Sequence, residues 1–199
     1  MSNDSILWHP TIAIAKYEPD TVQDIIRKIG YEPSGADLRR LEETAGLSPD
    51  SVVTCDGNEL TDGGRNRIRD LITGTGAAFN ATQGIIGVGN GTTAFAGSQT
   101  ALAADGASAR YQLIDAAPNT AGGTGKFSAA ATFQTDDANF AWNEWCFAIA
   151  TGTITAGATL GSIGTARVML NRKVPVGGLG TKASGAVWTL TAEVTINAS

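Results

Sequence analysis

The sequence of 199 residues predicts a mainly-β fold: an antiparallel β-sandwich with one packed helix, plus an N-terminal arm and a short helical appendage. Three observations lead to this fold class. The chain contains 25 glycines and only 17% charged residues, which is typical of a β-rich structural protein with many turns. Later segments alternate apolar and polar residues with a period of two. Helical periodicity is confined to the first 74 residues.

The chain changes character near Leu60, which indicates two parts. Residues 1–57 are predicted to form a docking arm and two short helices, and residues 58–199 to form the sandwich. The stretch ILWHPTIAIAK is extended by pattern, but Pro10 cannot donate a ladder hydrogen bond, so we expect an edge strand or an arm. Its apolar side chains need a cover, on this chain or on a neighbour. The candidate partner-docking residues are Ile6, Leu7, Trp8, Ile12 and Ile14.

Two helices are predicted after the arm. The first covers residues 20–29, where apolar residues at 22, 25, 26 and 29 form one stripe, and Gly30 can end it. The second opens at Ser34, which with Asp37 resembles a capping box, and Gly46 ends it. Their charges are mixed, so we interpret the pair as a packed appendage rather than as a DNA-binding helix-turn-helix.

A third helix is predicted over residues 60–74, with Thr61 as its N-cap. Three apolar side chains are expected to face inward: Ile68, Leu71 and Ile72. Three basic side chains are expected on the opposite surface: Arg65, Arg67 and Arg69. Such a row of arginines is usually a solvated face, although it could contact an acidic partner.

Six segments are predicted as strands: residues 84–88, 109–114, 126–135, 140–149, 166–170 and 186–196. The last is the clearest, because apolar residues from Trp188 to Ile196 alternate strictly with polar ones. Such alternation indicates a sheet with one buried face. Several such strands separated by Gly and Asp turns indicate an antiparallel sandwich.

The strand over residues 140–149, within NFAWNEWCFAI, carries large apolar groups on both faces and is therefore expected to be covered on both sides. Trp142, Glu144 and Cys146 are predicted to share one face, and Trp145 and Phe147 the other.

Glu144 then lies among apolar groups and needs a partner, because desolvating an isolated carboxylate costs several kcal/mol. The candidate partner is Arg167 or Arg110. The functional alternative is a general acid with a raised pKa, although no second carboxylate or histidine is evidently paired with it.

Composition argues against several classes of function. The net charge of -5 disfavours nucleic-acid binding, and no apolar run has the length of a membrane span. The N-terminus has no signal-peptide pattern, so we expect synthesis in the cytoplasm. One histidine and two distant cysteines predict no metal site and no cofactor. The stretches GVGNG and GGTGK fail as dinucleotide and phosphate motifs and are interpreted as turns.

Six segments follow one another in a distinctive order: LTDGGRNRIRDLITG, IIGVGNGTTA, SQTALA, KFSAAATFQTDDANFAWNEWCFAI, ARVML and WTLTAEVTI. This order resembles a group of small virion proteins of tailed bacteriophages. Those proteins open with a Leu-Thr-x-x-Gly-x-Asn helix, continue with a GxGxG turn and carry a W-x-E strand. The resemblance covers residues 58–197 and implies that these residues define the fold rather than catalyse a reaction: Leu60, Gly64, Asn66, Trp142 and Glu144. We add Arg167, as the candidate partner of Glu144, to the fold-defining residues.

The sequence therefore predicts a non-enzymatic structural protein of a tailed-bacteriophage virion, made in the host cytoplasm. We expect a capsid accessory protein that cements the shell through its N-terminal arm. Its partners would be the major capsid protein or tail proteins, and further copies of itself, such as in a trimer, with no nucleic acid and no membrane. The first alternative is a minor tail or fibre component. The second is a carbohydrate-binding module or glycosidase that uses Glu144 and exposed tryptophans.

Overall fold

The computed structural model describes residues 6–57, 59–104, 108–152, 154–155, 157–159 and 167–198, and of residues 6, 7, 197 and 198 only the backbone. The described residues form a mainly-β fold in which the paired strands are antiparallel, which confirms the predicted fold class. The strands are β1 (Ile6–Tyr17), β2 (Ser51–Asp56), β3 (Glu59–Leu60), β4 (Gly84–Gly89), β5 (Ala109–Leu113), β6 (Lys126–Phe133), β7 (Glu144–Ala150), β8 (Ala158–Thr159), β9 (Arg167–Met169), β10 (Asn171–Arg172) and β11 (Val187–Ala198). The helices are α1 (Pro19–Ile29), α2 (Gly35–Ala45) and α3 (Asp62–Ile72).

Two sheets enclose the main core. The first has the strand order β2-β1-β11-β6 and the second the order β8-β5-β4-β7-β9, while β10 and β3 form a short separate pair. Ile14 and Leu190 of the first sheet share this core with Ile86 and Phe147 of the second. The apolar side chains of β11 from Trp188 to Val194 point into it, as the alternation predicts, because alternate residues of a strand face the same side.

β1 is a central strand, so the prediction of an edge strand or docking arm is wrong. It pairs with β11 along its whole length and with β2 from Thr11 to Lys16. The carbonyl of Pro10 accepts a hydrogen bond from the N–H of Gly57 at 2.8 Å, so the proline nitrogen also faces the β2 side. Because pairing with β2 begins only at Thr11, the missing N–H of Pro10 interrupts no ladder bond. The first 57 residues thus supply two of the four strands of this sheet.

The two predicted N-terminal helices pack on the outer face of the first sheet. Both halves of the capping box at Ser34 and Asp37 are formed, and Gly30 and Gly46 end the helices in the left-handed conformation. A separate apolar cluster joins the helices to the sheet: Tyr17, Val22, Ile25, Leu38 and Val187. The helical appendage is therefore docked on the sandwich.

β7 is buried on both faces, as predicted. Trp145 and Phe147 lie in the main core, whereas Cys146 and Ala148 lie in a second cluster on the far side of the five-stranded sheet. Trp142 does not share the face of Cys146, because the strand begins only at Glu144. Trp142 instead lies in the main core, 4.9 Å from Trp188 between ring centroids.

Candidate functional site

Glu144 is fully buried and its charge is compensated inside the protein. Its Oε2 accepts a hydrogen bond from Nε of Arg172 at 2.6 Å, and Arg172 is equally buried. The backbone N–H groups of Ala103 and Ala104 donate to the same carboxylate at 2.9 and 2.6 Å. These three hydrogen bonds, one of them from a cation, leave the buried carboxylate with partners on both oxygens.

The predicted partners of Glu144 are wrong, because Arg172 occupies that role. Arg167 lies instead over the ring of Tyr111, with 5.8 Å from Cζ to the ring centroid. Nη1 of Arg110 donates to the carbonyl of Ala109 at 2.9 Å. An antiparallel β-bridge pairs Trp145 with Lys173, and in this register Glu144 and Arg172 are diagonal neighbours across the two segments.

The buried ion pair also holds the loop that follows β4. Nη1 of Arg172 donates to the side chain of Gln99 at 3.0 Å, and Nη2 donates to the carbonyl of Thr93 at 2.9 Å. A side chain at Gly89 or Gly91 would overlap the Glu144 carboxylate, which explains two glycines of GVGNG. The arrangement makes Glu144 an internal anchor that fixes this loop against the sheet.

The tryptophans are not arranged as the sugar-binding alternative requires. That alternative needs exposed indoles, but Trp142, Trp145 and Trp188 are all buried in the main core. Trp8 is partly buried and packs on Phe127, with 5.9 Å between the ring centroids. The three buried rings therefore stabilise the sandwich.

The five residues proposed for arm docking differ in burial. Ile12 and Ile14 are fully buried between the sheets and are not available for docking. Trp8 is partly buried: it packs against the main core and also lines a surface groove. Ile6 and Leu7 belong to β1 by their backbone, but their side chains lie outside the described part of the structure.

α3 is fastened to the sheet by its N-terminal end. The hydroxyl of Thr61 accepts a hydrogen bond from the N–H of Gly64 at 3.0 Å and donates to the carbonyl of Met169 at 2.5 Å. A Cβ at Gly64 would overlap the carbonyl of Leu170, so only glycine allows this approach. Asn66 is exposed and accepts a hydrogen bond from Arg69 at 3.3 Å, whereas Gly64 is buried.

The prediction for the apolar face of α3 is wrong. Ile68, Leu71 and Ile72 remain 37%, 43% and 81% exposed. Arg67, expected on the solvated surface, is only 8% exposed. Because Gly64 is the point of closest approach, the residue three positions later lies on the same inner face of the helix.

The exposed side of α3 forms one wall of an apolar groove of about 250 Å³. Phe79, Phe127 and Trp8 form other parts of the wall, Ile149 and Leu170 line it from the core, and Ile196 of β11 lies at its edge. We call this set, with Leu60, Gly64, Arg67, Ile68, Leu71 and Ile72, the α3 groove. Its composition identifies it as a candidate docking surface, because exposed apolar grooves mark interaction sites.

Arg67 is the single charged residue of the α3 groove. The backbone at Gly76 lies directly over its guanidinium, where a Cβ would overlap Nη1. Nε is buried and has no hydrogen-bond partner among the residues that the structure describes. Sequence reasoning missed this site because helical periodicity finds the apolar stripe of α3 without identifying which side is covered.

A second, more polar concavity of about 370 Å³ lies between α2 and the outer face of the first sheet. One of its carboxylates, Asp115, has a side chain that is 15% exposed; it accepts hydrogen bonds from the N–H and hydroxyl of Thr132 at 3.1 and 2.9 Å, and Arg39 lies 3.4 Å away. Burial raises the pKa of Asp115. Glu42 accepts a hydrogen bond from the hydroxyl of Tyr17. These polar groups hold α2 on the sheet.

Within the described ranges, no three His, Cys, Asp or Glu side chains are grouped in a way that could hold a metal ion. No helix in that part of the chain combines the length and the apolar character needed to cross a membrane. Comparisons of the chain with models of protein families, with curated proteins and with solved structures found no match.

Proposed function

We propose that the chain is a structural protein of a tailed-bacteriophage virion and that it joins the particle through the α3 groove. The order of its segments resembles that of small virion proteins, and this resemblance supports the class. The single observation that carries the docking role is the exposed apolar face of α3 beside the groove. α3 begins in the Leu-Thr-x-x-Gly-x-Asn stretch on which the resemblance rests.

Physical chemistry favours an assembly role for this face. Burying an exposed Ile or Leu side chain contributes about 1.5–3 kcal/mol, so covering Ile68, Leu71 and Ile72 together would stabilise a contact by several kcal/mol. A contact of that strength is modest for one copy and large for a shell that repeats it many times. We therefore propose the capsid surface as its location, with the chain acting as an accessory protein that cements the shell.

The interior of the protein supports a structural role for Glu144. Arg172 and two backbone N–H groups satisfy its carboxylate, and the pair fixes a loop. Bonds between separate segments of the chain, rather than contacts to a substrate, use the donors and acceptors of this pair.

Quantitative mass spectrometry of purified particles of the phage that encodes the chain tests this proposal. The ratio of this chain to the major shell protein is the quantity measured. We expect many copies, of the same order as the shell protein. A handful of copies per particle would replace the capsid role by the minor tail or fibre role. Absence from the particles would overturn the virion role altogether.

A further inference from the structure

We propose that the side chains of Lys182 and Asn139 join in an intramolecular isopeptide bond. Nζ of Lys182 lies 2.8 Å from Oδ1 of Asn139, and Lys182 is only 1% exposed. In the reaction the lysine nitrogen attacks Cγ of the asparagine side chain, and ammonia leaves. This inference is independent of the proposed function, because both reacting groups belong to one chain.

The backbone holds the two reacting residues side by side. Ala141 and Thr181 form an antiparallel β-bridge, and the N–H of Lys182 donates to the carbonyl of Phe140 at 3.1 Å. These bonds fix the segment before β11 against the segment that follows β6. The amine and the carboxamide therefore meet at a high effective concentration, which is the main requirement for a slow amide exchange.

The carboxamide of Asn139 presents its carbonyl group to the lysine. Its Nδ2 donates to the carbonyl of Thr135 at 2.9 Å, and Oδ1 is directed at Nζ of Lys182. Since a carbonyl bond is about 1.23 Å long, Cγ lies no more than about 4 Å from Nζ. This distance is close to the separation of about 3–3.5 Å from which such attacks proceed, so a rotation that turns the amine lone pair toward Cγ begins the reaction.

The hydrogen bonds of Lys182 suit a neutral amine. Nζ contacts two acceptors, the carbonyl of Gln134 at 2.7 Å and Oδ1 of Asn139 at 2.8 Å. A neutral amine has two N–H groups, so loss of the third proton leaves neither acceptor without a donor. The neutral form carries the lone pair that a nucleophile needs.

Burial also favours the neutral form. It lowers the pKa of Lys182 to about 8, so a substantial fraction of the side chain is uncharged near neutral pH. Four nearby carboxylates act in the opposite direction, in decreasing order of effect: Asp137, Glu32, Asp136 and Glu18. The net result is a lysine that is both shielded from water and nucleophilic.

The reaction balances without any further reagent. The amine forms a bond to Cγ and loses one proton, the bond from Cγ to Nδ2 breaks, and Nδ2 takes up a proton and leaves as ammonia. Asp137 carries this proton, because it is the carboxylate with the largest effect on Lys182 and precedes Asn139 by two residues. Asn139 is exposed, so the ammonia can escape to solvent.

Mass spectrometry of the intact chain tests the inference. The purified protein is kept about one pH unit above the lysine pKa of about 8, and its mass is followed over time. Lys182→Arg keeps the positive charge but cannot form the bond, and Asn139→Ala removes the carboxamide. Lys126→Arg is the matched control, since Lys126 forms a surface ion pair with Glu193.

We expect the wild type and Lys126→Arg to be lighter than their sequences require by the mass of one ammonia molecule, whereas Lys182→Arg and Asn139→Ala keep their full mass. Trypsin should release a branched peptide that joins residues 127–167 to residues 174–199, because the bond blocks cleavage after Lys182. The unlinked chain keeps a titrating lysine and the linked chain has none. The linked chain should also melt at a higher temperature than Lys182→Arg, since a cross-link constrains the unfolded state.

Three results would each overturn the inference: full mass in the wild type, loss of ammonia that persists in Lys182→Arg, or a branched peptide joined at another residue. Loss of water in place of ammonia would assign the bond to a carboxylate and would overturn it as well. Asp137→Asn should slow the loss of ammonia at least about 100-fold, as general acid–base catalysis implies. An unchanged rate in a folded Asp137→Asn variant would overturn the role of Asp137 as the proton carrier.

Discussion

The Nε atom of Arg172 lies 2.6 Å from Oε2 of Glu144, and neither side chain is exposed to solvent. The two residues belong to different sheets, since Glu144 begins β7 and Arg172 ends β10. Both are also bonded to the loop that contains Gln99 and Ala103. One ion pair thereby joins three separate parts of the chain.

Removing one member of this pair should be costly. Arg172→Met leaves the Glu144 carboxylate buried without its cation, so we expect the free energy of unfolding to fall by about 3–5 kcal/mol. Glu144→Gln should also destabilise, because it leaves the guanidinium unpaired. Urea titrations followed by tryptophan fluorescence measure both, since three indoles are buried in the core.

The double variant Glu144→Gln with Arg172→Met separates pairing from packing. We expect it to be less destabilised than the sum of the two single variants, with a coupling of about 1–3 kcal/mol. Strict additivity would contradict a direct interaction between the two side chains.

Gly64 is expected to tolerate no side chain. In Gly64→Ala the new methyl group would overlap the carbonyl of Leu170, so α3 must move away from the sheet. We expect a loss of about 1–3 kcal/mol in the free energy of unfolding. Gly97→Ala is the control, because a Cβ there has its nearest neighbour at 3.6 Å. Equal stability of the two variants would show that α3 does not approach the sheet this closely.

The pH dependence of stability should carry a signature of Lys182. Burial lowers the pKa of Lys182 to about 8, although the nearby carboxylates of Asp137 and Glu32 act in the opposite direction. Nζ donates to the carbonyl of Gln134 at 2.7 Å and to Oδ1 of Asn139 at 2.8 Å. A lysine in the unfolded chain has a pKa of about 10.4.

Between these two pKa values the unfolded chain binds more protons than the folded chain, so the contribution of Lys182 to stability rises with pH from about 8 to about 10.4. Lys182→Met removes this titration while the other groups remain. We expect the stability of the wild type to improve relative to the variant across this range, as measured by denaturant unfolding at several pH values. Parallel pH profiles would rule out a depressed lysine pKa.

Ile14 and Leu71 should differ sharply in their response to truncation. Ile14→Ala opens a cavity in the main core and should cost about 2–5 kcal/mol. Leu71→Ala removes a half-exposed side chain and should cost less than about 1 kcal/mol. Thermal unfolding of both variants checks this contrast. A small effect at Ile14 would restore the idea of a detachable N-terminal arm.

Local patterns are sufficient where an element depends on residues within one segment. The alternation of β11 and the capping box at Ser34 predicted their elements for this reason. The burial of β7 on both faces followed from its run of large apolar groups. The sequence indicated that both faces of this strand must be covered, but it did not identify the second apolar cluster that covers the far face.

Errors arose where the outcome depends on a distant segment. Pro10 is compatible with a central strand because the neighbouring strand stops before its nitrogen, and the sequence near Pro10 does not contain that information. Arg172, rather than Arg167, meets Glu144 because of a β-bridge between residues 145 and 173. For α3, Gly64 was the available signal, since a glycine inside a helix often marks a close approach.

Co-sedimentation with phage particles tests most directly whether the α3 groove attaches this chain to a virion. Purified wild type, Ile72→Asp and Val176→Asp are each added to particles that lack the chain, and the bound fraction is measured. Val176→Asp is the matched control, since Val176 is fully exposed and does not line the α3 groove. We expect the wild type and Val176→Asp to sediment equally with the particles, and Ile72→Asp to remain in the supernatant while keeping the wild-type melting temperature. Undiminished sedimentation of a folded Ile72→Asp variant would contradict attachment through this surface.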